Sequence, residues 1–195
     1  MTIDTRDIFI KGKNVYLKVL TKEDVLTSGW YGWFNDEKTC EWLQKHYYPN
    51  SLESQLEFWN ELNVGPDKYS KIQLGVCKKQ SDKILGVVSL SNINRINQTA
   101  ELSTVMGEAD GKDGKTVTEA WRLLIWHWFN VLNLNKIYGG SISKSVVHLI
   151  CRVAGASEEG IRREHFYKNG VFVDSYLWGI LKSSFNKKYF NFLEK

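Results

Sequence analysis

The sequence predicts a mixed α/β fold, a single domain over residues 1–195 with a mostly antiparallel sheet flanked by helices. Three observations carry this. Two β-rich runs, KIQLGVCKK and KILGVVSLSNI, are separated only by Gln80-Ser81-Asp82, a hairpin signature. A helical pattern from Thr116 to Leu132 stands between two strand-like runs, TAELSTVMG and NLNKIYGGS. An amphipathic helix stopped by Gly155 then leads into a two-strand hairpin turned at Asn169-Gly170.

In chain order, FIKGKNVYLKVL reads as one strand over residues 9–20, ending at Thr21. Thr21 suits an N-cap, with Asp24 three residues on. Residues 22–44 are helical with a break around Gly29–Gly32 or Asn35-Asp36. Ser51 opens a second helix with an apolar face of Leu52, Leu56, Trp59 and Leu62. Gly65-Pro66-Asp67 is a turn. Strands are expected near 70–78, 83–92, 99–106, 136–142, 157–166 and 171–182. On the helix from Thr116, one wide side carries Trp121, Leu124, Ile125, Trp128, Val131 and Leu132. Trp126 falls instead in the narrow polar stripe of Glu119, Arg122, Asn130 and Asn133. Such a ring is covered by a neighbouring segment or meets a second copy of the chain, which would make a homodimer.

With 195 residues and 43% hydrophobic content the chain builds an ordinary core. A charged fraction of 25% and a mean hydropathy of −0.35 exclude a disordered chain. No apolar run approaches the ~20 residues of a membrane helix, and MTIDTRDIF lacks the layout of a secretory signal. Cys40, Cys77 and Cys151 lie far apart and are odd in number, which argues against a disulfide framework and for a reducing cytoplasm. His46, His127, His148 and His165 form no close pair, so no metal site is expected. A net charge of +4 fits an anionic small ligand, and no basic run is dense enough for nucleic acid.

The C-terminal third spells EEG-x-x-R…NG-x-x-x-D after its strand and helix, and this resembles the end of GNAT acetyltransferases of the RimJ/RimL type. The resemblance implies an acyl-CoA N-acyltransferase fold, with its central sheet splayed beside the strand Glu101–Met106. It implies acetyl-coenzyme A as co-substrate and acetyl transfer to a primary amine. The pyrophosphate would rest on GEADGKDGKTVTEAW, where Thr118-Glu119-Ala120 matches the family's T-E-A helix start. A glycine-bearing turn before a helix N-terminus suits an anion on general grounds. Gly111, Lys112, Asp113, Gly114, Lys115, Thr116, Val117 and Thr118 are the expected contacts, with Ser103, Thr104 and Val105 along the pantetheine arm. The family's Q/R-x-x-G-x-G/A pattern is followed imperfectly: one register sets Lys112 at its first position, Lys115 at its first glycine and Val117 at its second. Gly114-Lys115-Thr116 also mimics the end of a Walker A loop, but that motif needs glycine where Ala109 stands.

Amide formation needs a base for the amine and a proton for the departing thiolate. Glu101, opening the AELSTVMG strand, is the base that the resemblance suggests; a glutamate there could equally anchor the neighbouring hairpin. The family's donor tyrosine, four residues before its G-F dipeptide, is Cys151 here, a weak donor or an inert apolar residue. Ser143 and Ser145 are rival donors, and Lys144 stands where relatives carry asparagine. Asn92 and Asn94 either line the acceptor pocket or shape a turn.

The segment YGWFNDEKTCEWL resembles the Y-x-x-W-x-N-D opening of RimJ/RimL-like enzymes, including those acting on amino sugars of surface glycans. Trp33, Tyr48 and Tyr167, with Asn92, are the expected acceptor contacts, together with Trp30, Trp42, Tyr47, His165 and Phe166 in the same regions. The positive balance and the aromatic rings favour a nucleotide-linked amino sugar. A protein N-terminus, a polyamine met by Glu53, Glu57 and Glu61, or a module that binds coenzyme A without turnover are the alternatives.

Overall fold

The computed structural model describes residues 7–43, 48–65 and 69–189, the side chains of 186–188 excepted. Tyr47, and Pro66 and Asp67 of the predicted turn, lie outside the described residues. The strands are β1 (Ile8–Lys11), β2 (Val15–Val19), β3 (Ile72–Lys78), β4 (Ile84–Asn94), β5 (Thr99–Met106), β6 (Lys136–Ser141), β7 (Ser157–Lys168) and β8 (Val171–Leu181). They form one sheet in the order β1-β2-β3-β4-β5-β6-β8-β7. All neighbours are antiparallel except β5 and β6. The expected mixed fold is present.

The helices are α1 (Lys22–Thr27), α2 (Trp30–Trp33), α3 (Glu37–Cys40), α4 (Leu52–Val64), α5 (Gly114–Asn130), α6 (Lys144–Ala154) and α7 (Lys182–Tyr189). Their starts follow the sequence signals. The Thr21 hydroxyl accepts from the Asp24 amide at 3.2 Å while the Asp24 carboxylate accepts from the Thr21 amide at 2.7 Å. Ser51 caps α4 through the Ser54 amide at 3.1 Å. Gly155 ends α6 in the left-handed conformation at φ 72°. Asn169 and Gly170, at φ 49° and 85°, supply the tight turn between β7 and β8.

One expectation is corrected, and one element is added. Residues 9–20 are not one strand but a hairpin, because the chain reverses at Gly12–Asn14 and the Glu119 carboxylate accepts from the Asn14 and Val15 amides at 2.8 and 3.3 Å. A terminal helix, α7, follows the last strand; its polar sequence hides Phe185 and Tyr189, one turn apart and both buried.

The sheet is covered on both faces. One core layer joins Leu17, Val88, Leu90, Ala100, Leu102, Ile137 and Trp178 to α5, α6 and α7. The other joins Tyr16, Val87 and Cys77 to Val25, Trp30 and Trp33, with Val105 and the apolar face of α4 packed beside them. The polar stripe of α5 is largely internal: Arg122 donates to Val153 O at 2.9 Å and lies 4.4 Å from the Tyr189 ring. Trp126 is half-buried against the first layer, so a neighbouring segment covers part of the ring.

Candidate active site

The parallel ladder between β5 and β6 is short. Thr99 pairs with Lys136, Ala100 with Ile137 and Glu101 with Tyr138, and there the ladder stops. Beyond it β5 runs on to Met106 and β6 to Ser141, each still paired on its outer side. A notch therefore opens in the middle of the sheet, bordered by Leu102–Met106 over about 17 Å at ~3.4 Å per residue. An extended arm carrying amides can add to such an edge as a strand would. The notch thus suits an extended, amide-bearing ligand.

Glu101 stands at the apex. Side chains alternate along a strand, so Ala100 and Leu102 face α5 and α6 while Glu101 faces the other side. Asn92 donates from Nδ2 to Glu101 Oε2 at 2.8 Å. Asn92 reaches it because β4 bulges between Ser91 and Asn94, which puts Asn92 at φ 51°, a conformation asparagine tolerates. It thus both shapes the turn and holds the carboxylate. Beside Glu101 lies Tyr138, which sequence reasoning did not single out. Burial, and then the Glu101 charge, hold its phenol above the ordinary value, opposed by Arg162 and Lys136. Its signal was available only as register: Tyr138 is the partner of Glu101 once β5 and β6 are known to be neighbours.

The predicted donors are not brought to this point. Cys151 lies half-buried on α6, against the opposite core layer. Burial, and then the charge of Glu158 on β7, push its thiol up. Ser143 is the N-cap residue of α6 but makes no side-chain cap bond, and its amide donates to Ser141 Oγ at 3.0 Å. It lies beyond the end of β6, five residues past Tyr138.

The segment after β5 is held by packing and by hydrogen bonds within the chain. Trp33, 5% exposed, lies flat on Gly107, where a Cβ would come within 2.0 Å of the ring. Its Nε1 donates to Glu108 Oε1 at 3.0 Å, and Lys83 pairs with Glu108 Oε2 at 2.6 Å. Gly111 closes a 3₁₀ turn (Ala109–Gly111) onto Leu85 and Met106, with no room for a side chain. Lys112 turns towards α3 and donates to Thr39 Oγ1 at 3.1 Å. Asp113 caps α5, accepting at Oδ1 from the Lys115 and Thr116 amides, both at 2.8 Å, and at Oδ2 from Thr116 Oγ1 at 2.7 Å. Gly114 and Lys115 are exposed, and nothing lies within 4 Å of a Cβ built on Gly114. Thr118 is half-buried and Val117 packs into the core. Along β5, Ser103 is exposed, Thr104 accepts from Trp121 Nε1 at 2.7 Å and Val105 packs under α1–α4. These three line the notch with backbone.

On the acceptor side most predicted rings serve the core. Trp30 is fully buried and Trp33 belongs to the loop just described, which corrects their reading as acceptor contacts. Tyr48 is 85% exposed and Tyr167 packs edge-on against Phe172 at 5.0 Å. The hairpin tip is pinned by Lys168, whose Nζ donates to Cys40 O at 2.6 Å and Leu43 O at 2.5 Å. These bonds tie the hairpin to the end of α3, and Arg162 of the same hairpin acts on Tyr138. Lys136 and Glu159 pair at 2.7 Å. Among the described residues no group of three His, Cys, Asp or Glu side chains is arranged to hold a metal.

Residues 14–143 match the family model described as an acetyltransferase (GNAT) domain. The chain is 28% identical over 179 residues to a Bacillus subtilis protein named "Probable N-acetyltransferase YjcK", covering 88% of this chain and 96% of that one. It is 32% identical over 160 residues to "Putative ribosomal N-acetyltransferase YdaF" of the same organism, covering 76% and 80%. Among solved structures it resembles the spermidine N-acetyltransferase from Vibrio cholerae in complex with CoA and spermine, with a TM-score of 0.77 at 23% identity. That match covers 88% of this chain and 98% of the other.

Proposed function

The chain belongs to the acetyltransferase (GNAT) family and is an acetyl-coenzyme A-dependent N-acetyltransferase; we propose that its acceptor is an amine carried on an anionic molecule, first of all a nucleotide-linked amino sugar. The observation that carries this reading is Arg162. It lies on the exposed strand β7, acts on Tyr138 at the notch apex, and has no carboxylate partner among the described ion pairs. Two other cations of this region are engaged: Lys136 with Glu159, and Lys168 with two carbonyls. A cation near a carboxylate suits an acceptor that brings an amine to Glu101 and an anionic group to Arg162.

A polyamine is an alternative acceptor, supported by the likeness to the spermidine N-acetyltransferase. A chain of several cations needs several carboxylates, and Glu53, Glu57 and Glu61 lie exposed on α4. A protein N-terminus is the second reading, supported by the resemblance to YdaF, named a putative ribosomal N-acetyltransferase.

In this reading the co-substrate supplies the acetyl group as a thioester. Glu101, held by Asn92, takes a proton from the amine so that nitrogen arrives with a free lone pair. Tyr138, protonated at neutral pH, stands on the same face to return a proton to the departing sulfur. Packing of Trp33 on Gly107 keeps the end of β5 rigid while the arm is held.

The test is a rate comparison across nucleotide-linked amino sugars, peptides with free N-termini and spermidine, repeated with Arg162→Met. The reading expects the anionic amino sugar to be fastest, and its KM to rise about tenfold or more in the variant while the peptide KM stays put. Spermidine as the fastest acceptor, or an Arg162→Met enzyme indifferent to the anionic acceptor, would overturn it.

A further inference from the structure

The anion position at the head of α5 is taken by the chain itself. The Asp113 carboxylate gathers the Lys115 and Thr116 amides and the Thr116 hydroxyl, three bonds of 2.7 to 2.8 Å. These amides carry the positive end of a 17-residue helix, the longest among the described residues. The segment from Gly107 to Asp113 leads to them from Met106, where the notch opens. A diphosphate entering with its arm in the notch therefore arrives where a carboxylate already sits. Two of the segment's cations are already engaged, Lys83 with Glu108 and Lys112 with Thr39.

We propose that Asp113 is an internal competitor for the diphosphate of the co-substrate, and that its carboxylate must leave the head of α5 before that group binds fully. The proposal rests on the notch being the acetyl-coenzyme A site. Two anions cannot share one pair of amides, and a carboxylate left within a few ångströms of a diphosphate repels it. Room for the exchange exists, because Gly114 is exposed and nothing lies within 4 Å of its Cβ position. Asp113 itself is exposed, so the displaced carboxylate turns into water. Burial raises its carboxyl pKa, but the Thr116 and Lys115 hydrogen bonds and the Lys78 charge outweigh that, so the competitor is ionised at neutral pH. Asp113 thereby sets the affinity for the co-substrate without touching the acetyl group, a positioning residue acting through the helix it caps.

Titration calorimetry with coenzyme A and with S-acetylpantetheine, which lacks the diphosphate, tests this on wild type, Asp113→Asn and Asp113→Ala. Asparagine keeps the cap and removes the charge. Alanine also frees the two amides and lowers the unliganded thermal midpoint. Coenzyme A should bind about tenfold more tightly to the alanine variant and by a smaller factor to the asparagine variant. The affinity for S-acetylpantetheine should be the same in all three. Unchanged or weaker coenzyme A binding in both variants overturns the proposal. If the wild type and both variants bind neither compound, the notch reading fails first, and the competitor role falls with it.

Discussion

Glu101 and Tyr138 are the last register pair of the β5–β6 ladder, side by side on one face of the sheet at the point where the two strands part. The pairing places a carboxylate and a protonated phenol at the closed end of a notch about 17 Å long. Neither needs a flexible loop to reach it, because each is a strand residue with a second strand on its outer side. Asn92 then fixes the carboxylate from the bulge in β4.

Tyr138, not Cys151 or Ser143, should matter for turnover. Tyr138→Phe is expected to lower kcat about 10-fold or more with coenzyme A affinity unchanged, while Cys151→Ala and Ser143→Ala stay near wild type. Because its phenol is held above the ordinary 10.0, this group keeps its proton throughout the neutral range. A basic limb in kcat with an apparent pKa well below 10 that vanishes in Tyr138→Phe would contradict the assignment.

The pin at the hairpin tip should govern the acceptor side alone. Lys168→Met keeps the apolar stem and leaves the Cys40 and Leu43 carbonyls without their donor. It should cost about 1–3 kcal/mol of stability and raise the acceptor KM, while calorimetry with coenzyme A shows no change. A weakened coenzyme A affinity would mean that the hairpin supports the notch as well.

The Glu108 contact should give an acid-labile contribution. The hydrogen bond from Lys83, then that from Trp33, outweigh burial and hold its carboxyl below the ordinary 4.5. A depressed folded pKa means that the unfolded chain binds the proton more readily. The contribution is therefore complete above about pH 4.5 and lost as pH falls through the lower folded value. Glu108→Gln still accepts from Trp33 and loses only the ion pair, so urea unfolding at pH 7 should show a loss of about 0.5–1 kcal/mol. Below that lower folded value the two proteins should converge. A gap that widens in acid would contradict the sign.

What sequence could reveal here was local. Thr21 with Asp24, Ser51, Gly155 and Asn169-Gly170 announce themselves because each acts on residues within one turn. The hairpin at Gly12–Asn14 is held by Glu119, a hundred residues away, and was read through as strand. Phe185 and Tyr189 make α7 worth forming only where α5 presents Phe129 and Arg122 to them. At the site, Glu101 was legible from the family resemblance, but Tyr138 needed the parallel register. Trp33 looked like a ligand ring because nothing in sequence places Gly107 beneath it. Asp113 precedes Gly114-Lys115-Thr116 as a helix cap would, yet the expected helix began at Thr116 and left it in the loop.

The most direct test of the account is the turnover of Glu101→Gln. Glutamine keeps an oxygen for Asn92 and about the same volume, so coenzyme A affinity and thermal midpoint should hold while kcat falls by about 10²-fold or more. Full activity in this variant across the pH range, with coenzyme A bound as tightly as in wild type, would place the base elsewhere and contradict the reading of the notch apex as the point of transfer.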